Sequence, residues 1–142
     1  MKKEVALPNF VELEHNILKF WKDEDCFNKL MEKNKDKTVY CSLDGPITAN
    51  NDMGIHHVWG RTLKDIYLKY KAMRGFAPKF QNGFDAHGLP VEVMVEREIG
   101  TKTKKDIIDY GMDNFVTKCL ERVTKCAARI TDQSIRIGQW MD

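Results

Sequence analysis

The chain has 142 residues, 42% of them hydrophobic, and a net charge of +2 from 23 basic and 21 acidic side chains. This length suits one domain with a real core but is short for a complete ligase, and so weak a bulk charge does not by itself argue for nucleic-acid binding. No apolar run reaches the length of a signal peptide or a membrane span, so we expect a cytoplasmic protein that does not enter a membrane.

The first predicted element is a helix that begins after Asn9, which can act as its N-cap, with Glu12 at the capping-box position. A break is expected near Asp25, and the polar run 32–37 ends this part of the chain. Residues 1–37 are therefore predicted to form an N-terminal helical extension. Its apolar stripe consists of Phe10, Leu13, Ile17, Phe20 and Trp21.

A strand, a helix and a second strand are predicted next. Residues 38–43 are β-rich and stop at an Asp-Gly-Pro turn, and residues 77–82 form the second candidate strand. Between them, apolar residues at helical spacing predict a helix from about Ile55 to Arg74 that Gly75 can cap. This order predicts a right-handed parallel β-α-β unit. The apolar positions of the helix are Ile55, Trp59, Leu63, Ile66, Tyr67, Tyr70 and Met73.

The remainder of the chain is predicted to be helical. One helix covers about 90–99 and ends at Gly100, and another begins near Thr103 and is interrupted at Gly111. An apolar stripe on the last section predicts a buried face, formed by Phe115, Cys119, Val123, Cys126 and Ile130. The four cysteines lack Cys-x-x-Cys spacing, and we predict no metal site.

The loop after the first strand carries candidate phosphate ligands. It runs from Asp44 through Asn50 to the sequence Gly54-Ile55-His56-His57 at the start of the long helix. In a β-α-β unit this loop lies at the carboxyl edge of the sheet, and the helix points free N–H groups at it. Two histidines there could donate to a polyphosphate. The alternative is that one histidine caps or packs the helix and the other is exposed to solvent.

The loop after the second strand, Gly-Phe-Asp-Ala-His-Gly-Leu-Pro-Val-Glu over 83–92, carries a candidate ammonium ligand. The carboxylate of Asp85 could pair with the ammonium of an amino acid, although a loop aspartate more often bonds its own turn. His87 either braces this loop or contacts a ligand. Basic residues of the C-terminal part either face RNA phosphates or form a solvated helix face: Lys102, Lys104, Lys105, Arg122, Lys125, Arg129 and Arg136.

Together these motifs resemble the class I aminoacyl-tRNA synthetases, and among them the isoleucyl-tRNA synthetases. The resemblance rests on Asp-Gly-Pro followed by Ala-Asn, on the helix segments at 61–65 and 70–75, and on the Gly-Phe-Asp-Ala-His-Gly-Leu-Pro loop. It covers roughly Asn9 to Asp142. It implies an α/β fold in which the N-terminal helix precedes the first β-α-β half of a Rossmann-like catalytic domain, over 38–100, and a helical segment follows over 101–142.

The resemblance also implies an activity and its residues. The family uses Mg²⁺-ATP to activate an amino acid, here isoleucine, as its adenylate and then transfers the amino acid to tRNA. By similarity, Gly45 and Pro46 wall the amino-acid pocket, Thr48 lies at its edge, and Asp85 binds the substrate ammonium. Gly54, His56 and His57 correspond to the ATP-binding turn, where His57 matches the second histidine of the family's His-Ile-Gly-His signature and His56 and His57 are the catalytic candidates.

The chain departs from the family pattern in this turn. Gly54 stands where the family has the first histidine, and His56 stands where it has glycine; Asn51 replaces a family glycine and Phe84 a tryptophan. Either His56 takes over the role of the first histidine in a rearranged turn, or ATP binding is weakened.

Nothing in the chain resembles the family's Lys-Met-Ser-Lys-Ser signature, so we expect an N-terminal piece whose remainder lies in the same chain or in a separate subunit. Two other classes stay open. One is a nucleotidylyltransferase-type enzyme, and the other is a non-catalytic module that binds tRNA or a partner subunit.

Overall fold

Helices and short strands alternate along the computed structural model, which describes residues 7–141. The first six residues of the predicted extension and Asp142 lie outside the described residues. The helices are α1 (Phe10–Asp23), α2 (Cys26–Asn34), α3 (Ile55–Met73), α4 (Leu89–Ile99), α5 (Lys104–Tyr110) and α6 (Met112–Arg136). The strands are β1 (Val39–Cys41), β2 (Ile47–Thr48), β3 (Ala77–Lys79) and β4 (Phe84–Asp85).

The predicted helix ends are confirmed by local geometry. Asn9 caps α1, because its side-chain oxygen accepts the N–H of Glu12 at 3.3 Å. The break between α1 and α2 falls at Asp25, whose φ of 50° is incompatible with a continuing helix. Gly75 and Gly100 end α3 and α4 with φ of 84° and 78°, a region that glycine enters without strain.

The strands form two parallel pairs. β1 pairs with β3 in the register Val39 to Ala77, which confirms the parallel arrangement predicted for the strands on either side of α3. A second pair, β2 with β4, was not predicted and lies where the sequence indicated loop; both predicted strands are also shorter than expected. A two-residue strand carries no detectable alternation, and its partner lies 37 residues away, so only the folded chain shows the pairing.

The core lies between α3, α4, α6 and the strands. Val91 and Val95 of α4 pack with α6, where Phe115, Cys126 and Ile130 are buried as predicted. Cys119 and Val123, which belong to the same predicted stripe, are half-buried. The buried face of α6 therefore holds this helix against the core.

The apolar stripes predicted for α1 and α3 are largely not the faces that this chain buries. Helix α1 has no buried residue, and Phe10, Leu13, Ile17 and Phe20 are exposed. The predicted stripe of α3 is also exposed, from Ile55 to Met73, while its buried face consists of Arg61, Asp65, Leu68 and Ala72. Two charged residues are buried there because each finds hydrogen-bond partners, which periodicity of apolar residues does not reveal. Between residues 7 and 141, no helix is both long and apolar enough to cross a membrane.

Candidate functional site

The β2–β4 pair places Thr48 beside Asp85. The Thr48 hydroxyl donates to Oδ2 of Asp85 at 3.0 Å, and the Asp85 carbonyl accepts the N–H of Ala49 at 2.8 Å. The Asp85 side chain is 36% exposed, and its other oxygen lies 3.6 Å from Nδ1 of the exposed His87. One carboxylate oxygen is thus bonded to Thr48, while the other lies beside the exposed His87. This geometry is suited to receiving a cationic group.

The segment before β2 is anchored to α3 through Asp44. Lys64 forms an ion pair with Asp44, and Nε of Arg61 lies 3.8 Å from the same carboxylate. Gly45 and Pro46 are exposed, and a Cβ on Gly45 would meet no other atom within 4 Å. The two predicted pocket-wall residues therefore present an open surface next to β2.

The turn at the start of α3 is closed by His57. Gly54 is the N-cap, and its carbonyl accepts the N–H of His57 at 2.9 Å and that of Val58 at 3.1 Å. In return, Nδ1 of His57 accepts the Gly54 N–H at 3.1 Å. A neutral imidazole that accepts at Nδ1 carries its proton on Nε2, so this edge of His57 is a hydrogen-bond donor.

The surroundings of His57 favour that neutral form. Burial lowers the pKa of His57 below its ordinary value, and the positive charges of His56 and Arg61 lower this pKa further. At neutral pH the turn therefore offers the His57 N–H donor and the helix N-terminus to an anion, rather than a full positive charge on His57.

His56 lies against His57 instead of diverging from it. The two ring centroids are 3.9 Å apart, and His56 is exposed. A Cβ on Gly54 would lie 2.7 Å from Cε1 of His56, so the His56 ring stands where a side chain at position 54 would begin. The arrangement combines the capping histidine and the exposed histidine of the alternative interpretation, with both rings at one end of α3.

Arg61, for which no role was predicted, connects α3 to α6 and to the segment before β4. It is 2% exposed and donates to Oγ of Ser134 at 2.8 Å and to Oδ1 of Asn82 at 3.0 Å. Its Nε has no hydrogen-bond acceptor among residues 7–141, and Asp44 is its nearest carboxylate. Arg61 begins the segment 61–65 that carries part of the family resemblance, but the spacing of apolar residues does not mark it as buried.

Three of the basic residues weighed as RNA ligands are engaged within the chain. Arg122 pairs with Glu98, Arg129 with Asp52, and Arg136 with Glu14. Arg122 also donates to the carbonyl of Asn50, so Arg122 and Arg129 both contact the segment just before the candidate ATP-binding turn. Sequence reasoning did not anticipate these contacts because the partners are more than seventy residues away.

A large cavity in the described part of the chain borders these polar groups through Asn82, the partner of Arg61, and Phe84, the neighbour of Asp85. It measures about 850 Å³ and is mostly apolar, with Trp21, Phe27, Phe84 and Trp140 in its wall. Neither Thr48 nor Asp85 lines it. Within residues 7–141, no group of three histidine, cysteine or acidic side chains is arranged to hold a metal ion.

Comparison with known proteins gives one consistent family. The family model of the tRNA synthetases class I (I, L, M and V) matches residues 16–142. The chain is 40% identical over 142 residues to the isoleucine--tRNA ligase of Thermus thermophilus. It is 39% identical over 134 residues to that of Clostridium novyi, and 41% identical over 134 residues to one from Dehalococcoides mccartyi.

These matches cover nearly all of this chain but a small part of each relative. The alignments span 100% of the chain and 14% of the Thermus protein, and 94% of the chain and 13% of each of the other two. The chain therefore corresponds to about one seventh of the length of these relatives.

Proposed function

Because the chain belongs to the class I tRNA synthetases (I, L, M and V), we propose that it forms part of an ATP-dependent isoleucine--tRNA ligase. The choice of isoleucine is supported by the names of the relatives that share about 40% of its residues. The observation that carries the proposal is the contact between Thr48 and Asp85, which orients a carboxylate at the end of the β2–β4 pair.

In the proposed reaction, Asp85 binds the ammonium of isoleucine through a charge-assisted hydrogen bond. Thr48 fixes the direction of the Asp85 carboxylate, and Gly45 and Pro46 line the adjacent surface. The carboxylate of the amino acid then attacks the α-phosphate of ATP in line, the bond to pyrophosphate breaks, and aminoacyl-adenylate forms. The protein contributes mainly by holding both reactants in place.

The turn of Gly54, His56 and His57 is proposed to bind ATP, which enters as its magnesium complex. Nε2 of His57 donates to the phosphates, and the N-terminus of α3 stabilises their negative charge. His56 supplies the second imidazole from position 56, in place of the first histidine of the family signature. The His56 ring occupies the space in which a side chain at position 54 would begin, and this supports the exchange of positions.

The chain matches about one seventh of the length of the isoleucine--tRNA ligases, and we propose that transfer of isoleucine to tRNA also uses groups outside this part. We propose that the remainder of the ligase is supplied by the same polypeptide or by a separate subunit, and that the assembled enzyme acts on tRNA in the cytoplasm. The small share of each relative that the chain matches supports the need for such a remainder.

The test is amino-acid-dependent exchange of pyrophosphate into ATP by the native protein that contains this chain, after its intact mass has been measured. Exchange that depends on isoleucine supports the proposal, while dependence on valine, leucine or methionine changes the substrate. Exchange without any amino acid indicates a nucleotidylyltransferase. Binding of tRNA without exchange indicates a non-catalytic module.

A further inference from the structure

Helix α6 lies along the loop 50–53, which leads from β2 to the candidate ATP-binding turn. Nε and Nη2 of Arg122 both donate to the carbonyl of Asn50, at 2.9 and 2.7 Å. Seven residues farther along α6, Arg129 forms an ion pair with Asp52. Residues seven apart on a helix share a face, so α6 presents one continuous side to this loop.

A third contact on the same face of α6 reaches the residue next to the turn. Oε1 of Gln133 accepts the N–H of Met53 at 2.8 Å. The following N–H, that of Gly54, is accepted by His57 from within the turn. The two consecutive amides that enter α3 are thus held by different helices, that of Met53 by Gln133 of α6 and that of Gly54 by His57 of α3.

The part of α6 that borders these loop contacts is anchored in the core, so the helix can serve as a fixed support. Phe115, Cys126 and Ile130 are buried in the core, and Ser134, the neighbour of Gln133, is fully buried and accepts a hydrogen bond from Arg61. A helix that is packed in the core beside its bonds to the loop limits how far the loop can shift.

We propose that Gln133 and Arg122 are positioning residues for ATP: they hold the loop 50–53 so that the Gly54–His57 turn keeps the geometry that receives the phosphates. Neither residue contacts ATP, and both act through the backbone of the loop. The expected effect on KM for ATP rests on the proposed function. The contacts by which α6 holds the loop do not depend on it.

The experiment compares four variants of the native protein that contains this chain. Gln133→Met removes the acceptor for Met53, and Gln133→Glu keeps an acceptor oxygen at the same place. Arg122→Met removes both donors to the Asn50 carbonyl, and Thr124→Val changes an exposed residue of the same helix. Steady-state pyrophosphate exchange gives KM for ATP and for isoleucine. Hydrogen exchange, followed by mass spectrometry on peptides that contain residues 50–56, reports on the loop itself.

For Gln133→Met we expect KM for ATP to rise about fivefold, the size of effect that one lost hydrogen bond to a backbone amide produces. KM for isoleucine should change by less than about twofold, which is below the effect of a single hydrogen bond. The loop peptides should exchange faster in Gln133→Met and Arg122→Met, while Gln133→Glu and Thr124→Val should resemble the parent protein. Arg122→Met should reproduce the rise in KM for ATP.

Equal increases in both KM values, the same loss in Gln133→Glu, or an unchanged KM for ATP in Gln133→Met would overturn the positioning role. A parent protein without isoleucine-dependent exchange would overturn the proposed function instead. Hydrogen exchange then decides the inference alone: faster exchange in Gln133→Met and Arg122→Met, but not in the two controls, supports the hold of α6 on the loop, and identical exchange in all variants overturns it.

Discussion

Thr48 and Asp85 face each other across a two-residue parallel strand pair, and the threonine hydroxyl donates to one carboxylate oxygen at 3.0 Å. The residues are 37 positions apart, and the register of β2 and β4 alone brings them together. Because the hydroxyl occupies one oxygen, Asp85 keeps a defined direction for a second partner. Thr48 and Asp85, both predicted to lie at the amino-acid pocket, are therefore joined by a direct hydrogen bond.

Replacement of Asp85 by asparagine should weaken isoleucine binding far more than ATP binding. The change keeps the shape of the side chain but removes the charge that attracts the ammonium, and a hydrogen bond to a charged group is worth about 1.5–3 kcal/mol. We expect KM for isoleucine to rise at least tenfold in pyrophosphate exchange by the native protein. Asp109→Asn, on the exposed part of α5, is the control. Equal losses for both substrates would remove Asp85 from this role.

Replacement of His57 by alanine should slow adenylate formation at least tenfold, equivalent to about 1.4 kcal/mol of transition-state stabilisation. The variant loses both the Nε2 donor and the acceptor for the Gly54 N–H. His57→Asn separates the two roles, because its amide oxygen can still accept that N–H. His15→Ala, on exposed α1, should leave the rate unchanged. A normal single-turnover rate in His57→Ala would show that this turn does not serve the phosphates.

The pKa of His57 should lie below 6.5, its ordinary value, because burial and the charges of His56 and Arg61 disfavour the imidazolium. Since the unfolded chain then binds more protons than the folded one between these two pKa values, His57 makes stability decrease as pH falls from 6.5 through its folded pKa. Titration of its ring proton resonance by NMR, assigned with His57→Asn, measures this pKa. A pKa at or above 6.5 would contradict the neutral ring.

Exchange of residues between positions 54 and 56 tests how the turn is built. Gly54→His should impair ATP use at least tenfold, since its Cβ would come within 2.7 Å of the His56 ring and displace it. His56→Gly alone should also lower activity by removing one imidazole. The double variant restores the family order, and it should recover most of the activity because the clash and the missing histidine compensate each other. Additive losses in the double variant would show that the two positions act independently.

Much of the secondary structure could be predicted because its causes are local. Asn9, Gly75 and Gly100 mark helix ends through the chemistry of single residues and their nearest neighbours. The motif order also predicted the parallel arrangement around α3 and the family. The roles of Gly45, Pro46, Thr48, Gly54, His56, His57 and Asp85 in binding remain predictions.

The predictions about faces were less successful. On α1 and α3 the apolar stripe marked exposed surface, while α3 buries Arg61 and Asp65. An apolar stripe shows that a helix has a side suited to burial, but it does not show which partner covers that side. Hydrogen bonds from Arg61 to Ser134 and Asn82 make the burial of a charged side possible, and those partners come from other parts of the chain.

The sequence by itself determined the helices, the order of the two loops and the family to which the chain belongs. Helix propensity, capping and motif identity all depend on residues that are close together in the sequence. Only the tertiary structure decided that Thr48 meets Asp85, that His56 fills the space beside Gly54, and that Gln133 of α6 supports Met53. The contacts of Thr48 and Gln133 join residues 37 and 80 positions apart, and that of His56 depends on its rotamer. Such contacts follow from register, packing and side-chain direction, which local sequence patterns do not encode.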